Sequence, residues 1–551
     1  MSTPKSLQSS VAWLLLAALV AGCGGTPRPE SQAARDKPPR SHRQTAQTGE
    51  NTKKNTKATK SPKASQDTKK GPSGMFREPG AATPEPAAKA AEGPAGPRPK
   101  PRQRTSLADL LSGNPAAMTD VPEDLADPPD AVGRMVPNLP RMEIDESKVR
   151  AAGIRRLEGK HLTLYTDLPP GAEVDGLPGV FDLAFPQWCD YLVVEPSEHA
   201  DWRLTGVLMK TMKDKARFEQ AGLMPADLPA FPHGYARNFE FWLYEQPSDY
   251  YRRHLLLHEG THGFMNTLLG SCGPPWYMEG IAELLGTHLW KDGRLTLGYF
   301  PATRDEVPMW GRIKIVRDAY DRFAGARLDD IVHYSGSAHR SNDPYGWCWA
   351  AAAFLDRHPR YQQRFRQLPQ HVAQRGFSNR FLRMMADDWD QLCEEWELYV
   401  ARLEYGYDIP REAIDFRPGQ PLAEGGATVS VAADRGWQSS GVRLEKGKSY
   451  RLSASGRYQV ADRPKPWPCE PGGVSIRYWE GRPLGILLGA VRPDEYRVDR
   501  PSPLLRPIVI GLGTTLVPQE SGTLYLRIND SPGELADNAG TLSVRVEPES
   551  P

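Results

Sequence analysis

Residues 160–166 (Lys-His-Leu-Thr-Leu-Tyr-Thr) alternate apolar and polar side chains with period two, which predicts a half-buried strand. Residues 203–209 repeat that pattern, and residues 179–189 between them suggest a helix. A third strand is expected over 237–244, just ahead of a segment, 253–262, whose apolar run suits a helix. Residues 343–355 predict a buried helix and 389–405 a last one. From 420 onward the period returns to two, over 449–456, 473–478, 524–528 and 541–546, with Gly, Pro, Asn and Asp turns between. The chain is therefore read as multidomain: an α+β domain over 146–412, folded from near Arg150, then an all-β sandwich over 420–551.

Ahead of these elements the composition changes. From Gly24 to about Arg104 aromatic residues almost vanish and proline, lysine and alanine dominate, a mixture that cannot bury enough apolar surface to offset ordering entropy. Residues 24–145 are read as a disordered tether, with a short helical pattern at 106–111 and lysines such as Lys53, Lys54 and Lys57 kept solvated. Residues 11–21 are an apolar run too short to span a membrane, preceded by Lys5, as in the hydrophobic region of a signal peptide. The run ends in Val20-Ala21-Gly22-Cys23, which resembles the lipobox of bacterial lipoproteins. That resemblance implies a signal peptide over 1–23, lipid on Cys23, and a protein anchored to a membrane in the bacterial cell envelope, facing periplasm or exterior. No later stretch is apolar over 18 residues.

The formal net charge of +1 supplies no field that would gather nucleic acid. Six cysteines are present, none in a CxxC pair, which argues against a cysteine-based zinc site and leaves disulfide pairing open.

The chemistry concentrates at His258-Glu259-Gly260-Thr261-His262. On a helix, positions i and i+4 share a face, so His258 and His262 can hold one metal ion, with Glu259 beside it as general base. A catalytic zinc takes three protein ligands and keeps a fourth position open. Glu279, on a second helix after the break at 273–275, completes a His2Glu set, and Glu283 follows one turn later on the same face. From there Glu283 can accept a hydrogen bond from a ligand imidazole. His254 and His288 are read as structural or supporting histidines, because a fourth protein ligand would close the open position. The pattern HExxH followed by ExxxE resembles the gluzincin metallopeptidases, and Trp276-Tyr277-Met278-Glu279-Gly280-Ile281-Ala282-Glu283 is similar to the bacterial "peptidase MA-like" families. The resemblance implies a zincin-like fold, zinc on His258, His262 and Glu279, Glu259 as base, and Glu283 behind the ligands. It also implies an oxyanion donor from the C-terminal half of the domain, with Tyr345 the candidate and His333 and His339 as alternatives.

In the C-terminal domain, residues 529–540 (Asn-Asp-Ser-Pro-Gly-Glu-Leu-Ala-Asp-Asn-Ala-Gly) set oxygen-bearing side chains around a glycine-containing loop, a donor set suited to calcium. The loop resembles that of the calcium-dependent galactophilic bacterial lectins. The resemblance implies side-chain ligands at Asp530, Asp537 and Asn538, backbone ligands at Glu534 and Val460, and carbohydrate as a partner. The sugar-binding segment of those lectins, with its histidine and glutamine, finds no counterpart here. The chain is thus expected to be a zinc-dependent hydrolase cleaving peptide or protein substrates. The alternatives are a catalytically silent surface-anchored binding protein and a zinc amidase acting on cell-wall material.

Overall fold

A computed structural model describes residues 139–336, 341–497 and 500–549. The signal peptide with Cys23, the tether up to residue 138 and His339 lie outside the described residues. The described chain forms an α/β region and then a strand-rich region.

The α/β region is built on a five-stranded mixed sheet, β1 (Arg155–Glu158), β2 (Leu162–Thr166), β3 (Leu204–Met209), β4 (Gly234–Arg237) and β5 (Glu240–Tyr244), in the order β1-β2-β3-β5-β4. β2, β3 and β5 run parallel, and the two edge strands are antiparallel to their neighbours. Helix α1 (Leu177–Leu192) supplies the crossover from β2 to β3. β2 is buried along its whole length, in contrast to the half-buried strand that its alternation predicts. Leu162 and Leu164 face a helical core that includes Phe181 and Trp188, while Tyr165 joins Phe218, Leu223 and Trp242 on the other face. The polar members of the pattern, Thr163 and Thr166, are buried with them. The single strand expected at 237–244 is a hairpin, β4 and β5, because Asn238 takes a left-handed turn with φ 52°. Ordered contacts also begin before Arg150: the Met142 amide donates to Glu240.

The helices that carry the site come after the sheet. α2 (Asp249–Phe264) starts where the Ser248 hydroxyl caps the Tyr251 amide, and α3 (Pro275–Gly286) starts with proline at its first position. α4 (Arg312–Asp321), α5 (Asp343–Arg357) and α6 (Trp389–Arg402) follow, with shorter helices such as Phe377–Met385 between them. α2 and α3 are buried almost throughout, which brings their polar side chains into the interior.

The strand-rich region forms a five-stranded and a four-stranded sheet over one core that draws Val442, Leu524 and Leu526 from the first and Leu452 and Val544 from the second. Strand Tyr450–Ser455 alternates buried and exposed, as the sequence pattern predicts, whereas Leu487–Arg492 is covered on both faces and carries no such alternation. A further apolar cluster, including Leu398 of α6, Ile414, Trp437, Leu488 and Tyr525, joins this region to the α/β region. Beside it the buried carboxylate of Glu412 accepts from Arg402 at 3.2 and 3.3 Å and from Arg527 at 2.9 and 2.9 Å. The five described cysteines are free thiols. No helix among the described residues is long and apolar enough to cross a membrane.

Candidate metal centre

α2 and α3 pack against each other with the predicted residues on their facing sides. His258 Nε2 lies 3.1 Å from His262 Nε2, and Glu279 Oε2 lies 3.2 Å from the first and 3.5 Å from the second. Glu279 Oε2 is buried yet aligned with neither ring as a hydrogen bond. With both Nε2 atoms unprotonated, three lone pairs converge in a largely buried pocket, an arrangement that a cation would satisfy. Ligand atoms about 2.0–2.1 Å from a tetrahedral zinc stand about 3.3 Å apart, so the triangle fits that ion. His262 keeps 12% of its side chain exposed, whereas His258 and Glu279 are more deeply covered. Burial is the largest influence on Glu279 and opposes its ionisation, but His262 and His258 outweigh it and hold the carboxyl well below the usual range.

Glu259 lies beside the triangle, next to the sheet edge. A Cβ on Gly234, in edge strand β4, would sit 2.3 Å from Glu259 Oε1, so a side chain there would force the strand or the carboxylate to move. Burial pushes the Glu259 carboxyl up to about 8, with Glu279 and Glu283 adding to the rise and His262 opposing it. A carboxyl poised near neutrality is suited to taking up and releasing a proton.

Glu283 lies behind the triangle. Its Oε1 lies 3.4 Å from His258 Nδ1, its Oε2 3.3 Å from His254 Nε2, and Arg312 donates to both oxygens, Nε at 2.8 Å and Nη2 at 2.7 Å. Burial opposes its charge, but Arg312 and His254 hold its carboxyl far below the ordinary range. His254, His258 and Glu283 also cluster closely enough to suggest a second metal position. The guanidinium already compensates both oxygens, and His254 Nε2 and His258 Nδ1 face them without a hydrogen bond. His254 is fully buried and burial keeps its ring neutral. His288 is fixed by a 2.8 Å contact from Nδ1 to the Gly286 carbonyl and stacks on Tyr250 at 4.6 Å, away from the triangle.

Tyr345 starts α5 with its ring 6.3 Å from that of His258 and under the Arg312 guanidinium at 5.9 Å. The negative field of Glu279, then burial, then Glu259 push its phenol well above the usual range, so it stays a hydrogen-bond donor. His333 is exposed, and its Nδ1 lies 2.8 Å from the Asp329 carbonyl in its own helical turn. No local pattern in the sequence marks Arg312 or Gly234.

In the strand-rich region Asp530 is fully buried; its Oδ1 accepts from the Ser531 amide at 2.7 Å and its Oδ2 from Asn538 Nδ2 at 2.8 Å. Asp537 Oδ1 and Asn538 Oδ1 are buried and have no hydrogen-bond partner. The segment carrying Val460 lies alongside: Gln459 pairs with Ala539 and donates through its side chain to the Asp537 carbonyl at 2.8 Å. The Glu534 side chain turns away to Arg477, at 2.6 and 2.7 Å, so only its backbone is left for a cation. Orphaned oxygens beside a buried carboxylate fit a hard cation such as calcium.

No protein-family model matches the chain, and none of the curated proteins does. Among solved structures it is similar to one titled "EclA N-terminal domain; PllA-like lectin", at 23% identity and a TM-score of 0.18, covering 22% of this chain and 95% of that one.

Proposed function

We propose that the protein is a zinc metallopeptidase of the gluzincin kind with a zincin-like fold, held in a bacterial cell envelope by lipid on Cys23. The observation that carries the reading is the buried triangle of His258 Nε2, His262 Nε2 and Glu279 Oε2, with edges of 3.1, 3.2 and 3.5 Å. These three residues would hold the zinc, which when bound supplies Lewis acidity to water and to a carbonyl oxygen. Glu259 takes the proton of the attacking water and hands it to the leaving amine nitrogen as the C–N bond breaks. Tyr345 donates from its phenol to the carbonyl oxygen as that atom gains charge. Glu283, fixed by Arg312, orients His258 through Nδ1.

A peptide is favoured over cell-wall material because β4 ends the sheet directly beside Glu259, an edge on which an extended backbone can pair. The C-terminal region is read as a calcium-loaded module, supported by the orphaned oxygens of Asp537 and Asn538 next to Asp530. Zinc-loaded wild type should digest casein and leave peptidoglycan intact, and Glu259→Gln should keep its zinc while losing the digestion. Casein turnover that survives in Glu259→Gln would refute the mechanism, and turnover of peptidoglycan alone would move the assignment to an amidase.

A further inference from the structure

The loop at residues 530–540 carries the orphaned oxygens of Asp537 and Asn538 on the side where Asn538 meets the Asp530 carboxylate, here called its inner face. Its outer face is spent on the α/β region. Arg402, the last residue of α6, donates to the Asp530 carbonyl at 3.0 Å. The Ser531 hydroxyl and the Gly533 amide, the latter at 3.4 Å, both donate to Glu404 Oε1. The Asp408 amide donates to the Pro532 carbonyl at 3.0 Å. Gly533 is pressed against the facing backbone: a Cβ there would stand 2.9 Å from the Tyr405 carbonyl oxygen. Four consecutive residues, 530–533, therefore dock on segment 402–408 largely through main-chain groups, whose positions depend on the conformation of the loop.

We propose that this loop is the lock of the joint between the two regions, a calcium ion on its inner face fixing the backbone that its outer face offers to segment 402–408. The proposal rests on the reading of Asp530, Asp537 and Asn538 as calcium ligands. Asp530 belongs to both faces, its carboxylate turned inward to Asn538 and its carbonyl outward to Arg402, so the two functions meet in one residue. Asn538, itself buried, ties the inner face to the residue that follows strand Ala427–Ala432, through the Ala433 carbonyl at 3.2 Å. A ligand that binds the docked loop better than a loosened one stabilises docking, and by linkage docking strengthens the ligand's binding by the same factor.

The experiment uses the full chain dialysed free of calcium, with calcium itself as the probe, read by titration calorimetry and by hydrogen exchange at the two amides that bridge the joint, Asp408 and Gly533. Calcium should slow exchange at both amides about tenfold, and Ser531→Ala or Glu404→Gln should weaken calcium binding by a matching factor, within the roughly 5–150-fold range usual for coupled sites. Asp537→Ala should abolish both the binding and the protection. Ser531→Ala is the milder variant and keeps the test informative if Glu404→Gln does not fold. Calcium binding that leaves the two amides unprotected, or an affinity unmoved in the folded joint variants, would overturn the lock while sparing the calcium reading. No heat of calcium binding in wild type would overturn both.

Discussion

Arg312 grips Glu283 at two points, Nε on one carboxylate oxygen at 2.8 Å and Nη2 on the other at 2.7 Å, and Glu283 in turn stands 3.4 Å from Nδ1 of His258. A buried carboxylate facing two imidazoles would tend to wander or take up a proton; the two-point grip keeps it charged and in place. Arg312→Ala should therefore cost about 3–5 kcal/mol of stability, the usual penalty for stripping one partner from a buried ion pair. In the folded fraction zinc affinity should fall about 10–100-fold. Denaturant unfolding and zinc titration check the two effects separately. A variant with unaltered zinc affinity would reduce Arg312 to a structural role.

Zinc content is the direct measure of the ligand triangle. His262→Ala should lose the ion, dropping from one zinc per chain to a small fraction. Glu259→Gln should retain it while activity falls by about 10²–10⁴-fold, as expected when a proton-transfer group is removed. Elemental analysis of the two purified variants distinguishes ligand from base, and unchanged zinc in His262→Ala would rule the triangle out.

Gly234→Ala tests the approach of the edge strand to Glu259, the proposed base. The added Cβ would lie 2.3 Å from Glu259 Oε1, so either the strand or the carboxylate must move. Activity should fall with zinc stoichiometry intact, at a stability cost of about 1–3 kcal/mol from overpacking. Steady-state kinetics alongside metal analysis gives the readout; wild-type kcat would show that the contact is not needed.

His288 links stability to pH. Burial pushes its ring down to about 3, from an ordinary 6.5, despite the opposing contact with the Gly286 carbonyl. Between those values the unfolded chain binds a proton that the folded one refuses, so stability is lost as pH falls from 6.5 toward 3. The slope from this residue is up to about 1.4 kcal/mol per pH unit. His288→Gln cannot take up the proton and should flatten the pH dependence of unfolding by up to one proton in that window. Equal slopes for the two proteins would mean that His288 titrates alike folded and unfolded.

The residues of the candidate site that could be read from the sequence are those whose spacing obeys a helical period: His258 and His262, then Glu279 and Glu283, each pair four apart on one face. Tyr345 was reachable as a tyrosine opening a buried helix. Arg312 was not, because it stands 29 residues from Glu283 and only tertiary packing joins them. Gly234 was not, because nothing in its neighbours announces that a carboxylate passes within van der Waals reach. Tyr450–Ser455 has one wet face and alternates; Leu487–Arg492 is covered on both faces and does not. The hairpin β4–β5 reads as one strand because its two-residue turn, Asn238-Phe239, makes the reversal without glycine or proline.

Glu412 bears on how this protein could be cut or recombined. Its carboxylate is shared by Arg402, from the α/β region, and Arg527, whose side chain is only 2% exposed, from a strand of the C-terminal region. A break between 412 and 420 looks like a natural seam in the sequence, yet it would part Arg527 from the carboxylate of Glu412. The piece left behind would expose Leu398 and Ile414, which are now covered. The two regions are therefore not interchangeable modules. A fusion that grafts either one elsewhere would have to carry Arg402, Glu412 and Arg527 together or redesign all three.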